Sequence, residues 1–324
     1  MREIKGFYET EIPELGPPFL KGKVRDIWRF SKGNSYYLAI VTTDRQSAFD
    51  KVVATVPKKG KVLNLTSAFW FKKTADVVPN HLIVIPHPNV SIVKEARQVL
   101  PVEVIIRKFL ARSSTSTSVY HNYFERGRRD IYGIKFPDGL LANQEFPMGA
   151  IITPTTKSKD GHDEELAGGA AQIITDKTLG VGMWEKVSKA AFSVFEAASE
   201  YSLSRGLILA DSKYEFGIDQ FGKLMLIDDV DTPDSSRYWL KTSYEEKVKN
   251  GENPESFDKE ILRRYLSEEK KFKGVGEIPD IDDLVINKMS QVYESAYTMI
   301  TGNILPDTNT SIKSAILQFI ESLS

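Results

Sequence analysis

The chain has 324 residues, 41% hydrophobic and 27% charged, with 43 Lys and Arg against 44 Asp and Glu for a net charge of −1, and it contains no Cys. That composition excludes a disordered chain, and the charge balance argues against a nucleic-acid or anionic-membrane binder, which carries a large basic excess. Without Cys there are no disulfides, zinc–thiolate sites or thiol nucleophiles.

At roughly 150 residues per domain the length suggests about two domains. The opening MREIKGFYET has no apolar segment of the kind a secretory signal needs. No stretch approaches the roughly 18 apolar residues that span a bilayer. A soluble, cytoplasmic protein is expected. Residues 36–41 (YYLAIV) and 81–85 (HLIVI) read as strands, being β-branched or aromatic and bounded by Gly, Asn or Pro. Residues 62–73 read as a helix, and a third strand is expected at 102–107, directly after Pro101. A boundary near Leu100–Pro101 would divide a β-rich lobe, 1–100, from a larger α+β lobe, 101–324. Residues 111–165 are rich in Ser, Thr, Gly and Pro and read as long loops around an irregular hairpin, a length that usually means function or disorder. Residues 183–205 are the clearest helix, with Val187, Ala191, Val194, Ala198 and Tyr201 on one face and Gly206 as its stop. Strands at 207–211 and 223–229 flank a turn at 219–222. The charge-dense stretch 241–285 predicts a helix near 257–266, and helices at 286–301 and 311–324 close the chain.

The most informative stretch is Asp211-Ser212-Lys213-Tyr214-Glu215-Phe216-Gly217, with Leu226-Ile227-Asp228-Asp229 after it. A turn centred between Gln220 and Phe221 sets Lys213 opposite Asp228, with Glu215 diagonal to it. Side chains alternate along a strand, so Asp211, Lys213, Glu215 and Asp228 would share one face, and Tyr214, Phe216, Met225 and Ile227 the other. The plain reading of such charges is a solvated strand face with an ion pair. The functional reading is a Mg²⁺ site, because Mg²⁺ takes one or two carboxylates and fills its shell with water and phosphate oxygens. Thr232-Pro233-Asp234-Ser235-Ser236-Arg237 follows at once and supplies hydroxyls and a guanidinium that suits phosphate or carboxylate.

Other polar clusters are weaker. Gly22-Lys23-Val24-Arg25-Asp26 could bring backbone and cations to phosphates, though it matches neither GxxxxGK[ST] nor GxGxxG and could be a simple turn. Residues 42–50 (TTDRQSAFD) follow a buried-type strand, where sites collect, but Asp44 or Ser47 could also cap a helix. Thr153-Pro154-Thr155-Thr156-Lys157 suits an anion or a loop tip, and His162-Asp163-Glu164 has no metal-ligand spacing. Arg107, at a strand end before Ser113 and Ser114, could hold a phosphate. Four His and no Ser-His-Asp arrangement point away from a covalent nucleophile and towards phosphoryl transfer by positioning and electrostatics.

Together these motifs, with Pro101-Val102-Glu103-Val104-Ile105-Ile106-Arg107, resemble the signatures of the phosphoribosylaminoimidazole-succinocarboxamide synthase (SAICAR synthetase) family from residue 22 to about residue 265. The resemblance implies a two-lobed, ATP-grasp-like α+β fold with a β-rich N-terminal lobe over ATP. It implies a ligase of purine synthesis that joins carboxyaminoimidazole ribonucleotide (CAIR) to L-aspartate with ATP and Mg²⁺, through an acyl phosphate. By the same resemblance Lys23 and Arg25 face the ATP phosphates, and Leu100, before Pro101, lies at the hinge beside adenine. Glu215 and Asp228 hold Mg²⁺, and Lys213 acts at the reacting carboxylate. Arg107, Ser113 and Arg237 contact the ribonucleotide, and Asp44, Arg45, Ser47, Asp211, Lys259 and Arg263 lie on the substrate side. The chain departs from the family pattern in carrying Arg112 before Ser113 where Gly is usual, Gln46 where Ile is usual, and a Ser/Thr run over 113–118. Another ATP-dependent carboxylate–amine ligase or a small-molecule kinase would share the acid pair and the basic cluster, whereas retention of Lys23, Glu215, Asp228 and Arg237 together argues against a non-catalytic nucleotide binder.

Overall fold

The structure, a computed structural model, describes residues 6–49, 51–157, 163–257 and 260–323. Its first sheet has five antiparallel strands in the spatial order Leu20–Lys21, Arg25–Lys32, Ser35–Thr42, Val90–Lys94, Leu82–His87. Alternation along these strands puts Trp28, Ala39, Val41 and Ile92 on one buried face. The last helix, Ile312–Ser322, returns from the far end of the chain to cover that face with Ile316 and Phe319. The β-rich lobe therefore takes its cover from the C-terminus.

The second sheet is built around the long strand Leu207–Ile218. Its first half lies between Val102–Arg107 and Ser236–Leu240, and its second half between Gln98–Val99 and Leu224–Ile227. Ile151–Ile152 and Thr155–Thr156 extend the far edge of Val102–Arg107. On one face Val102, Val104 and Ile106 join Leu209, Tyr214 and Phe216 beneath Val187, Ala191, Val194 and Ala198 of the helix Met183–Ser204. This is the apolar stripe that the spacing predicts, and each Val, Leu, Ile or Phe side chain in this core contributes roughly 1.5–3 kcal/mol on full burial. The helix Lys59–Lys73 adds Trp70 and Phe71 to this core, while its Val62 and Leu63 pack with Met289 and Tyr293 of the helix Asp283–Thr301. Gly60 begins that first helix against the chain beside it: a Cβ there would sit 2.4 Å from the Thr42 carbonyl oxygen.

Residues 111–165 carry the expected irregular hairpin, Asp130–Ile131 with Ile134–Lys135, but also a core of their own around Leu110, Tyr123, Phe136 and Phe146. The helix expected at 257–266 is short, Glu260–Arg264, and runs into a wider turn, Tyr265–Glu269. The strand Arg25–Lys32 and the helices Ala170–Leu179 and Lys241–Lys249 were not anticipated, their charged residues masking the apolar period.

The hairpin register differs from the expected one by a single residue. Glu215 pairs with Ile227 and Phe216 with Leu226, so the tip is centred on Phe221. Gly222, at φ +78°, allows the longer loop, and Asp219 holds it through Oδ1 bonds from the Phe221 and Lys223 N–H groups. The core-facing set is therefore Tyr214, Phe216 and Leu226, in place of Met225 and Ile227. Continued regularly, the strand would turn Asp228 inward opposite Tyr214. Instead it ends at Ile227, and Asp228 takes a left-handed φ of +65° that redirects its side chain.

Candidate active site

Register alone assembles the centre of the site. Asp211 lies opposite Arg107 on one neighbouring strand and Arg237 on the other, and directly opposed residues share a face. Arg107 Nη1 donates to Asp211 Oδ2 at 3.1 Å, and Arg237 Nη2 is 3.6 Å from the same oxygen. Thr153 fixes the Arg107 guanidinium by accepting from its Nε at 2.9 Å. Two residues further along the strand, Lys213 donates to Glu103 at 2.7 Å and to Glu215 at 3.2 Å. Lys157, beyond the Thr155–Thr156 strand, donates to the other Glu215 oxygen.

Burial opposes charge on both partners, and the neighbours outweigh it. Desolvation pulls the Lys213 ammonium down, but Glu215, Glu103, Asp228 and Asp229 together hold it well above the usual lysine range. Desolvation pushes the Glu215 carboxyl up, but Lys213 and Lys157 hold it below the usual carboxylate range. The group is a preformed lattice of alternating charges. Its face lines a cavity of about 150 Å³ with Ser113, Ser235 and Arg237 on the wall. A second cavity of about 250 Å³ shares Ser113 and Arg237 and adds Arg112, Arg263 and Arg264. The structure thus gathers Arg107, Ser113, Asp211, Lys213, Glu215, Arg237 and Arg263, residues separated by more than a hundred positions in sequence.

Arg25 reaches this region from the first sheet. Its Nη1 binds Asp228 and its Nη2 binds Asp229, each at 2.8 Å. Asp229, Glu103 and Lys157 were not singled out as site residues. Period-two reasoning placed Asp229 on the far face, and strand partners remote in sequence were needed to reveal the other two. Lys23 is exposed on the loop before Arg25, and its carbonyl accepts from Arg45. Lys259 and His162 lie outside the described residues.

Arg45, Asp44 and Leu100, expected on the substrate or ATP side, have these partners within the chain. Arg45 is buried and commits its guanidinium to Asp26 and to the carbonyls of Tyr8, Gly22 and Lys23, so it braces the loop bearing Lys23 and Arg25. Asp44 accepts N–H bonds from Phe7, Lys58 and Gly60 and anchors the start of the first helix. Leu100 is buried in the main core and gives its N–H to the Phe216 carbonyl, leaving the exposed Gln98 and Val99 as that segment's outward surface. Ser47 is half-buried on the strand Arg45–Ala48.

Beneath the charged face, Asp231 is fully buried and accepts from Tyr214 at 2.9 Å and Ser236 at 3.4 Å, while its Oδ2 has no hydrogen-bond partner among the described residues. Burial pushes its carboxyl up to about 7. A raised carboxyl means that the folded chain binds the proton more tightly, so this group's contribution is lost as pH rises from the unfolded range near 4 towards 7. Removing it with Asp231→Asn should flatten the pH dependence of unfolding free energy in that window by about 1 kcal/mol per pH unit. Urea unfolding at pH 5, 6 and 7 measures it, and parallel curves for both proteins would refute the raised carboxyl.

A sequence model of the family described as SAICAR synthetase matches residues 18–278. The phosphoribosylaminoimidazole-succinocarboxamide synthase of Legionella pneumophila (strain Lens) is 42% identical over 294 residues, 91% of this chain and 90% of its own length. The chloroplastic enzyme of that name from Vigna aconitifolia is 46% identical over 261 residues, 80% of this chain and 73% of its own length. The SAICAR synthase of Saccharomyces cerevisiae, solved with SAICAR, superposes with a TM-score of 0.76 at 31% identity over 93% of this chain and 100% of its own. Among the described residues no helix is long and apolar enough to cross a membrane.

Proposed function

This chain belongs to the SAICAR synthetase family, and we propose that it joins the carboxylate of CAIR to the amine of L-aspartate with hydrolysis of ATP to ADP and phosphate, in the cytoplasm. The observation that carries this reading is the row Arg237–Asp211–Arg107 set directly beside Lys213–Glu103–Glu215 on one sheet face. Guanidiniums suited to a ribonucleotide phosphate or carboxylate stand next to ammoniums suited to a transferring phosphoryl group.

Glu215 and Asp228 are the candidate Mg²⁺ ligands. Among the described residues no three His, Asp or Glu converge on one point. That donor set, two carboxylates and no soft ligand, fits Mg²⁺. When bound with ATP, Mg²⁺ would offset phosphate charge. The division of work among the chain's residues is the one the family resemblance implies, and their charges suit it. Arg25, with Lys23 on the same loop, faces the triphosphate. Arg107, Ser113, Arg237 and Arg263 hold the ribonucleotide with its carboxylate towards Lys213. The carboxylate oxygen attacks the γ-phosphorus, ADP departs, and the acyl phosphate carbon then accepts the aspartate amine as phosphate leaves. Lys213 steadies negative charge in both steps.

Release of ADP should require CAIR and L-aspartate together, and omitting each substrate in turn tests this. Release with CAIR alone would indicate a kinase or an uncoupled first step. Arg237→Lys should weaken CAIR binding about tenfold or more and ATP binding far less, because an ammonium cannot reproduce the two-pronged geometry. Calorimetric titration of each ligand decides it, and equal losses would contradict the assignment.

A further inference from the structure

The helix Asp283–Thr301 lies beyond the part of the chain that matches the family, residues 18–278. Its Tyr293 is 1% exposed, yet the hydroxyl sits in a polar junction rather than in the apolar core around the ring. That hydroxyl is 2.6 Å from Asp234 Oδ1 and 2.9 Å from Gln46 Oε1. Lys59, wholly buried on the first helix, reaches the other Asp234 oxygen at 2.8 Å and the Arg45 carbonyl at 3.1 Å. Asp234 is therefore gripped on both oxygens, once from the first helix and once from the last-but-one. A phenol has one proton to give, and the charged carboxylate is the stronger acceptor.

What Asp234 carries explains why this junction bears on the reaction. It lies in the loop Thr232–Arg237, whose Ser235 carbonyl accepts the Lys213 N–H at 3.0 Å. Ser235 lines the smaller cavity, and Arg237 lines both. Gln46 is completely buried and sets its Oε1 2.9 Å from this same hydroxyl. A buried amide among apolar groups would be costly without a partner. The amide N–H group donates to the Ser47 carbonyl at 3.2 Å, and its Oε1 lies beside the hydroxyl whose proton goes to Asp234.

We propose that Tyr293 is a positioning residue for the ribonucleotide: through Asp234 it holds the Thr232–Arg237 loop against the strand Arg45–Ala48, and so fixes Ser235 and Arg237 in the substrate wall. It touches no reacting atom itself. The inference rests on the placement of Arg237 on the ribonucleotide side.

Tyr293→Phe keeps the ring in its core and deletes only the hydroxyl. The expected result is a melting temperature within about 5 °C of the parent, a KM for CAIR raised about tenfold, and a KM for ATP within about twofold. Asp234→Asn attacks the same bond from the loop side and should give the same division. The double variant should be less than additive, because the Tyr293–Asp234 bond can be lost only once. A Tyr293→Phe enzyme with both KM values unchanged, or with both raised equally, overturns the proposal, as does an additive double variant. If Tyr293→Phe does not fold, the division in Asp234→Asn decides alone. Parent enzyme that releases ADP without CAIR would instead refute the proposed ligation, so the two failures are distinguishable.

Discussion

Glu215→Gln should abolish turnover, lowering kcat by about a thousandfold or more, while the chain stays folded. Glu215 is 4% exposed and receives Lys213 on one oxygen and Lys157 on the other. The amide keeps the shape of the carboxylate but removes the charge that both lysines and a Mg²⁺ ion require. Buried cations left without a counter-charge are destabilising, but Glu103 still holds Lys213 at 2.7 Å, so the structural cost is shared rather than fatal. Asp228→Asn should lose activity for a parallel reason, with Arg25 keeping its bond to Asp229. Circular dichroism and kcat at saturating substrates, across a Mg²⁺ series, separate folding from catalysis. Near-normal activity in both variants at limiting Mg²⁺ would remove the metal role.

Lys213→Met should lower kcat and kcat/KM together, by about a hundredfold or more, the scale of one preorganised electrostatic group. Methionine retains most of the length and the apolar stem. Lys213 is held fully charged by four acids and lies in the cavity wall between the guanidiniums and Glu215. Negative charge shifts there as the phosphoryl group moves and again as the amine attacks. If Lys213 only draws the anionic substrate in, the variant would raise KM and leave kcat nearly intact. Steady-state kinetics with CAIR varied at saturating ATP and L-aspartate distinguish the two.

Much of this was legible in the sequence wherever a local signal sufficed. The helix Met183–Ser204 follows from the spacing of Val187, Ala191, Val194 and Ala198, and the strand Val102–Arg107 from its β-branched run after Pro101. The family was legible because its motifs keep their order. The hairpin register was not, because it turns on one left-handed glycine, Gly222, and a shift of one residue reverses the facing of every side chain. Asp228 still reaches the site only because its own left-handed backbone departs from the strand. Arg45 and Asp44 stand out in the sequence as part of a polar motif, but their buried partners, Asp26 for Arg45 and three backbone N–H groups for Asp44, were not legible there. The pairing of Glu103 with Lys213, and of Lys157, already noted in an anion-suiting run, with Glu215, became visible only when strands distant in sequence were set side by side.

The most direct test of the ligation follows the oxygen atoms. With CAIR carrying ¹⁸O in its carboxylate, incubation with ATP, Mg²⁺ and L-aspartate should release phosphate bearing one labelled oxygen per turnover, because the bridging oxygen of the acyl phosphate leaves with phosphorus. Unlabelled phosphate, released together with SAICAR, would show that the carboxylate is never phosphorylated and would contradict the assignment of this site.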